Sequence, residues 1–238
     1  MSDPFGRSVR DFHRDEQDAP LIQRDGEWVR EHPIEAFYFG DFDPDSDRGE
    51  FLTSWVDGPL LDMGAGAGRD TLYFQERFET VAIEVSEHLI ETMRERGVQD
   101  ARRADMFALR ESFERDRFQS AFAWGTQVEL AASMQELREF LDDLAFVTAP
   151  DGTATLDCHD PEQIVADEML GYRADPTAGL AHRVMQFEYE GDVGETLLFR
   201  LFGPDRLREA AAETNWEVAA CSYDSAESAH YQAALTKA

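Results

Sequence analysis

The sequence predicts an α/β protein, a mainly parallel sheet with helices on both faces. Short apolar runs alternate with amphipathic stretches from about residue 51 to residue 160, the pattern of strands joined by helical crossovers. A glycine-rich turn, Gly64-Ala65-Gly66-Ala67-Gly68, directly follows one apolar run and precedes a helix. The last two apolar runs have no helix between them, so they are expected to pair antiparallel.

Residues 1–50 are polar and read as an N-terminal arm of one or two helices, with an apolar island at Ile34-Glu-Ala-Phe-Tyr-Phe39 and a turn-rich end at Asp43-Pro44-Asp45. The main domain is expected over 51–238. Pro59 to Met63 is a buried strand, and Thr71 to Phe78 a helix. Thr80 to Glu84 is a second strand, followed by a helix from Glu87 to Arg96 that Gly97 ends. Gln99 to Ala104 is a short third strand, and Phe118 to Trp124 a fourth. In Met134 to Thr148, Leu137, Phe140, Leu141 and Leu144 share one helical face. Ala149-Pro-Asp-Gly152 is a turn before strand Thr153 to Cys158. Arg183 to Tyr189 and Thr196 to Phe202 flank Gly191-Asp-Val-Gly194 as a hairpin. A helix starts at Gly203-Pro204, with proline in its first turn. Trp216 to Tyr223 and His230 to Thr236 are the final strands, joined by the polar loop Asp224 to Ser228.

The 238 residues carry 50 acids against 22 bases, a formal charge of −28, and Lys237 is the only lysine. Phe, Leu, Ile and Val make up 22% of the chain, barely above the roughly 20% below which a highly charged chain is expected to stay disordered. The acids are spread evenly rather than gathered into a tail, an acidic coat similar to that of haloarchaeal proteins. In molar salt the Debye length is about 3 Å, which screens the self-repulsion. This charge opposes non-specific binding to nucleic acid or anionic lipid. No apolar run is long enough to span a membrane and no secretory leader is visible. Cys158 and Cys221 form neither a metal-ligand spacing nor a disulfide framework, so a cytoplasmic protein is expected.

The glycine turn is where the chemistry concentrates. Glycines let the chain turn tightly and let backbone approach a ligand, while the following helix offers free N–H groups. A dinucleotide fingerprint would need glycine where Arg69 stands, so NAD or FAD fits poorly. The strand ends instead in Asp62. Glu84 follows Gly64 by 20 residues at the end of the second strand, where a carboxylate can accept both ribose hydroxyls.

On these residues the sequence resembles the class I S-adenosylmethionine-dependent methyltransferases. Their first motif is an acid followed by x-G-x-G-x-G, as in Asp62 to Gly68. Their second ends strand two with an acid, as Glu84 does, and a third places Asp before an apolar residue after strand three, as Asp105-Met106 does. The resemblance covers about residues 50–160 and 203–238. It implies a Rossmann-like sheet of about seven strands with an antiparallel last strand, and S-adenosylmethionine as cofactor, with S-adenosylhomocysteine as product. It implies that Gly64, Ala65, Gly66 and Gly68 lie against the methionine part and that Asp62 helps hold its amino group. Glu84 would bind the ribose with Val85 beside the adenine, Asp105 would accept from the adenine amine, and Met106 would pack on the ring. Trp124 and Gly125 would line the cofactor near the methyl group.

Methyl transfer from a sulfonium is an in-line displacement, and a base is needed only if the acceptor arrives protonated. His159, after strand five, is the positional candidate. Asp157-Cys158-His159-Asp160 resembles no specific metal site, and no metal is expected. Trp124-Gly-Thr-Gln127 lacks the Asn/Asp-Pro-Pro-aromatic motif of amino-group methylases of nucleobases and glutamine, and neither cysteine stands in the Pro-Cys context of cytosine C5 methylases. No basic, aromatic-interleaved patch marks an RNA path. Gly125-Thr126-Gln127 with a following helix resembles small-molecule N- or O-methyltransferases instead, which implies a small acceptor methylated on N or O. Tyr38 in the apolar island, Thr126, Tyr172 and Arg173 are candidate acceptor contacts, and 161–202 is the expected substrate-cap insertion. The arm would act as a lid. An RNA or protein methyltransferase and a non-catalytic S-adenosylmethionine-binding sensor are the alternatives. Aminopropyl transfer is disfavoured because no acidic pair follows strand four.

Overall fold

The computed structural model describes residues 2–225 and 228–238, so part of the polar loop expected over 224–228 lies outside the described residues. Helix α1 (Pro4–His13) opens the chain, capped by the Asp3 carboxylate, which accepts from the Gly6 N–H at 2.8 Å. Strands β1 (Ile22–Asp25) and β2 (Trp28–Glu31) form a hairpin, a single π-type turn spans Glu35–Phe39, and α2 (Asp47–Trp55) leads toward the sheet. Then β3 (Leu60–Met63), α3 (Arg69–Phe74), β4 (Thr80–Glu84), α4 (Glu87–Arg96) and β5 (Ala101–Arg103) follow in alternation. After the one-turn α5 (Leu109–Ser112) come β6 (Phe118–Ala123), α6 (Met134–Val147) and β7 (Thr148–His159). Strands β8 (Tyr172–Ala174), β9 (Leu180–Tyr189), β10 (Asp192–Val193) and β11 (Leu197–Phe202) fill the insertion. Helix α7 (Pro204–Ala212) and strands β12 (Trp216–Tyr223) and β13 (His230–Lys237) close the fold.

The predicted α/β sheet has seven strands in the order β12-β13-β7-β6-β3-β4-β5. β13 runs antiparallel to both neighbours, and the other adjacent pairs are parallel. The period of two along each strand sends alternate side chains to opposite layers. Leu61, Met63, Val81, Ile83, Ala121 and Ala123 meet Leu137, Phe140, Leu141 and Leu144 of α6 and Leu207 of α7. Leu60 and Phe122 face the other way, onto Leu52 of α2 and Phe74 of α3, while Ala82 meets Ile90 and Met93 of α4. The turn expected at 149–152 is absorbed into β7 as an irregularity: Phe118 pairs with Thr148 but Ser120 with Thr153.

The arm differs from the expectation of helices alone. Gly26, at φ +61°, turns residues 22–31 into a hairpin, and Ile22, Gln23 and Arg24 pair with Glu188, Phe187 and Gln186 of β9. β9 also pairs with β8, β10 and β11, so arm and insertion build one six-stranded sheet over the main domain. Helix α1 docks on α4 through an Asp3–Ser86 hydrogen bond and an Arg10–His88 contact of 2.8 Å. Behind these, Val9, Leu21, Ile34, Leu89 and Tyr189 form a shared core.

A Cβ at Gly6 would overlap both the Ser86 hydroxyl and the Asp3 carboxylate. Gly6→Val is therefore expected to loosen α1 from α4. Limited proteolysis should cut residues 14–21 several-fold faster than in the wild type, with the far-ultraviolet circular dichroism little changed.

Candidate active site

The chain leaves β3 toward β4 on one side of the sheet, while β6 and β7 lie on the other. Ligands in such sheets bind in the crevice at the carboxyl ends of the strands beside this reversal. β3 ends in Asp62-Met63, and the loop after it turns because Gly64, Gly66 and Gly68 adopt φ of +67°, +58° and +78°. Space forbids side chains too: a Cβ on Gly64 would stand 2.7 Å from the Gln127 side chain, and one on Gly68 2.7 Å from Val98. The N–H groups of Gly64 and Ala65 both donate to the Ile83 carbonyl, at 3.0 and 3.2 Å, which locks the loop against the end of β4.

A cavity of about 1410 Å³ opens from this loop up to the six-stranded sheet. Asp62, Gly64, Ala65, Gly66, Glu84, Val85, Trp124, Gly125, Thr126, Tyr38 and His159 all line it, so most of the expected site is brought together. Asp62 is buried, and the Thr71 hydroxyl donates to it. Burial pushes its carboxyl up to about 8, against the Thr71 hydrogen bond. Glu84 is likewise raised by burial, to about 7, although the N–H of Val85 donates to it at 2.7 Å. Trp124 donates its ring N–H to Thr155 at 3.2 Å, and the Arg48 guanidinium lies 4.5 Å over its ring.

The remaining expectations end up elsewhere. Gly68 supports the loop from behind, against Val98 and Met93. Asp105 is exposed and caps the turn that follows it by accepting from the Phe107 N–H at 2.9 Å, and Met106 is buried in the main core, so neither reaches the cavity wall. Arg173 points out to Asp25, with contacts of 3.0 and 2.8 Å. Tyr172 stands opposite Arg183 in register but is not part of the wall. Strand pairing between β8 and β9 decides this, and the sequence could not show it.

Two histidines of the cavity wall, His159 and His230, meet with their ring centroids 5.5 Å apart. Glu129, fully buried, accepts from the backbone N–H of His159 at 2.7 Å and contacts its ring Nδ1 at 2.8 Å. Nδ1 therefore donates to the carboxylate, and Nε2 is the ring nitrogen left without that contact. Asp157 accepts from the N–H groups of Gly125 and Thr126, at 3.0 and 2.7 Å, and contacts His230 Nε2 at 2.8 Å. Asp224 holds His230 Nδ1, also at 2.8 Å. Burial lowers the His230 pKa, but the two carboxylates outweigh it and hold it at about 9. His230 is thus a fixed cation at neutral pH.

On the roof, Gln23 contacts His32 Nδ1 at 3.0 Å, and His32 Nε2 contacts the Tyr38 hydroxyl at 2.9 Å. Burial, with help from the Arg183 charge, drops His32 to about 4, so it stays neutral. Burial and the charge of Glu84 push the Tyr38 phenol upward. Sequence reasoning missed Glu129, His230, His32, Gln23 and Arg183. None has a motif, and Asp157 alone was flagged by its neighbours. Among the described residues no cluster of three or more His, Cys, Asp and Glu is placed to hold a metal ion.

Asp62 and Glu84 ionise near pH 4 in an unfolded chain but near 8 and 7 when folded. Their contribution is complete below about pH 4 and is lost as the pH rises toward 8. The melting temperature of Glu84→Gln should therefore gain on that of the wild type from pH 5 to pH 8 at fixed salt; a constant difference would contradict the assignment.

Residues 60–152 match the profile of a family described as a methyltransferase domain. Comparison with curated proteins finds no sequence match. Among solved structures, a methyltransferase from Bacteroides fragilis in complex with S-adenosyl-L-homocysteine aligns at TM-score 0.80 and 22% identity, over 99% of this chain and 95% of its own. CalS10, an amino pentose methyltransferase from Micromonospora echinaspora, aligns at 0.56 and 17% identity over 75% and 83%. The 1,6-didemethyltoxoflavin-N1-methyltransferase of Burkholderia thailandensis aligns at 0.50 and 19% identity over 75% and 70%. With the strand order and the glycine loop, these findings give the chain the fold of the class I methyltransferases, with residues 60–152 matching a methyltransferase domain.

Proposed function

We propose that the protein transfers a methyl group from S-adenosylmethionine to the nitrogen or oxygen of a small molecule. The observation that carries this reading is the single cavity of about 1410 Å³ shared by the glycine loop, Glu84 and the roof. Pockets for one ligand usually measure about 300–1,000 Å³, so this space admits donor and acceptor together. Its roof is built from two segments distant in the chain, which favours a metabolite over a polymer. The amino pentose and didemethyltoxoflavin enzymes among the structural neighbours support a small acceptor. We read the acidic coat as solvation in molar salt.

The residues present fit this donor. Asp62 is a buried carboxyl whose one described side-chain donor is the Thr71 hydroxyl, so the ammonium of an amino acid would supply the cation it lacks. Glu84 faces the cavity where ribose hydroxyls can donate to it. Of the expected adenine contacts, only Val85 lines the cavity. When bound, the donor supplies an electrophilic methyl on a leaving group that is already activated. The protein's part is mainly alignment, which can supply up to about 7–11 kcal/mol. His159, its Nδ1 held by Glu129, presents Nε2 as the base for an acceptor that arrives protonated. His230 holds the Gly125–Thr126 turn through Asp157; Thr126 sits there at φ +61°.

By titration calorimetry in high salt, S-adenosylhomocysteine should bind with micromolar affinity, and Glu84→Ala should weaken it at least tenfold. Unchanged binding would sink the ribose assignment. His159→Ala should lower kcat by about 10²–10⁴ with little change in cofactor affinity. Labelled methyl transfer into a cell extract should yield a small-molecule product. Label in RNA or protein would overturn the acceptor class, and no label at all would favour a sensor.

A further inference from the structure

Where β9 and its partner strands face the cavity, the surface is apolar apart from Arg183 and Gln23. Alternate residues of β9 reach the cavity, namely Arg183, Met185 and Phe187, and their cross-strand partners Phe199, Leu197 and Gln23 join them. Arg183 is half-buried there. Its Nε donates to the Leu170 carbonyl and its Nη2 to Gln23 Oε1, each at 3.0 Å, and the Phe199 ring lies 5.8 Å away. Among the described residues, no carboxylate forms an ion pair with it, and Nη1 has no hydrogen-bond partner.

The other two arginines of the insertion differ. Arg200, opposite His182 on the neighbouring strand, pairs with Asp175 at 2.8 Å, and even the exposed Arg173 finds Asp25. A cation withdrawn from water without a carboxylate in direct contact is costly. Glu129 gives Oε1 to His159 and keeps a buried Oε2 without a hydrogen-bond partner, and its charge acts on Arg183 from beyond ion-pair distance, while Glu31, Glu168 and Glu195 stand exposed at the rim. Arg30, exposed at the mouth and donating to the Glu168 carbonyl at 3.0 Å, adds a second positive charge.

We propose that Arg183 binds an oxyanion, carboxylate or phosphate, carried by the methyl acceptor. The acceptor is then a small molecule with an apolar body against Leu130, Leu170, Met185 and Phe199, an anionic end on Arg183, and its N or O nucleophile toward His159. The planar guanidinium can offer two parallel N–H groups to such a group. This rests on the reading of the cavity as an acceptor site.

The test uses the full chain at one fixed salt concentration, with and without S-adenosylhomocysteine, and three probes: benzoate, phenyl phosphate and neutral benzamide. Calorimetry should show benzoate or phenyl phosphate binding the wild type at least tenfold more tightly than benzamide. Arg183→Gln should abolish that preference while leaving the affinity for S-adenosylhomocysteine unchanged, Arg183→Lys should keep part of it, and Arg30→Gln should weaken it less. Equal binding of benzamide, no binding of either anion, or a preference that survives in Arg183→Gln would overturn the proposal. If Arg183→Gln fails to fold, the wild-type preference and Arg183→Lys decide. Failure of S-adenosylhomocysteine to bind the wild type would instead overturn the cofactor reading, since the anions are also measured without it.

Discussion

The pairing of Ile22–Arg24 with Gln186–Glu188 is the contact on which the site depends. It joins segments some 164 residues apart, as the Arg24–Glu188 contact records. Without it the main sheet would still form, since its core clusters are made of its own strands and helices. The crevice above β3 and β6 would lack its roof, however. With the pairing made, Gln23, His32, Arg183, Met185 and Phe187 close over the glycine loop.

Enclosure explains the electrostatics. Asp62 and Glu84 are raised and His32 is lowered by the same cause, loss of water around the charged form. His230 moves the opposite way because Asp157 and Asp224 take hydrogen bonds from both its nitrogens. Two neighbouring rings thus acquire different settings: His230 is a charged clamp on the Gly125–Thr126 turn, and His159, proposed as the base, is oriented by Glu129. The net charge of −28 plays little part inside. Most acids lie on the surface, and the deep wall carries a few carboxylates and one guanidinium with no direct carboxylate contact.

The sheet was largely legible because its strands are buried on both faces and its helices carry one-sided apolar stripes. Thr80–Glu84, Glu87–Arg96 and Trp216–Tyr223 fall where pattern placed them, since Gly97 and the apolar alternation mark their limits. Asp62, the glycine loop and Glu84 were legible because local chain geometry needs those residues within one βαβ unit. The hairpin over 22–31 was missed: its strands are short and half-exposed, and their pairing partner is remote. Arg173 was named from its polarity in the cap, yet register turns it to Asp25 and leaves Arg183 at the cavity.

Local patterns in the chain therefore determined the α/β class, the glycine loop, its two acids and His159, because periodicity, turn chemistry and strand ends act over a few residues. Tertiary structure alone decided the roof, the separate hydrogen-bond partners of His159 and His230, and the position of Arg183 away from any direct ion pair. These depend on strand register and on which side chains lose water together, and both are set by contacts between segments far apart in the sequence.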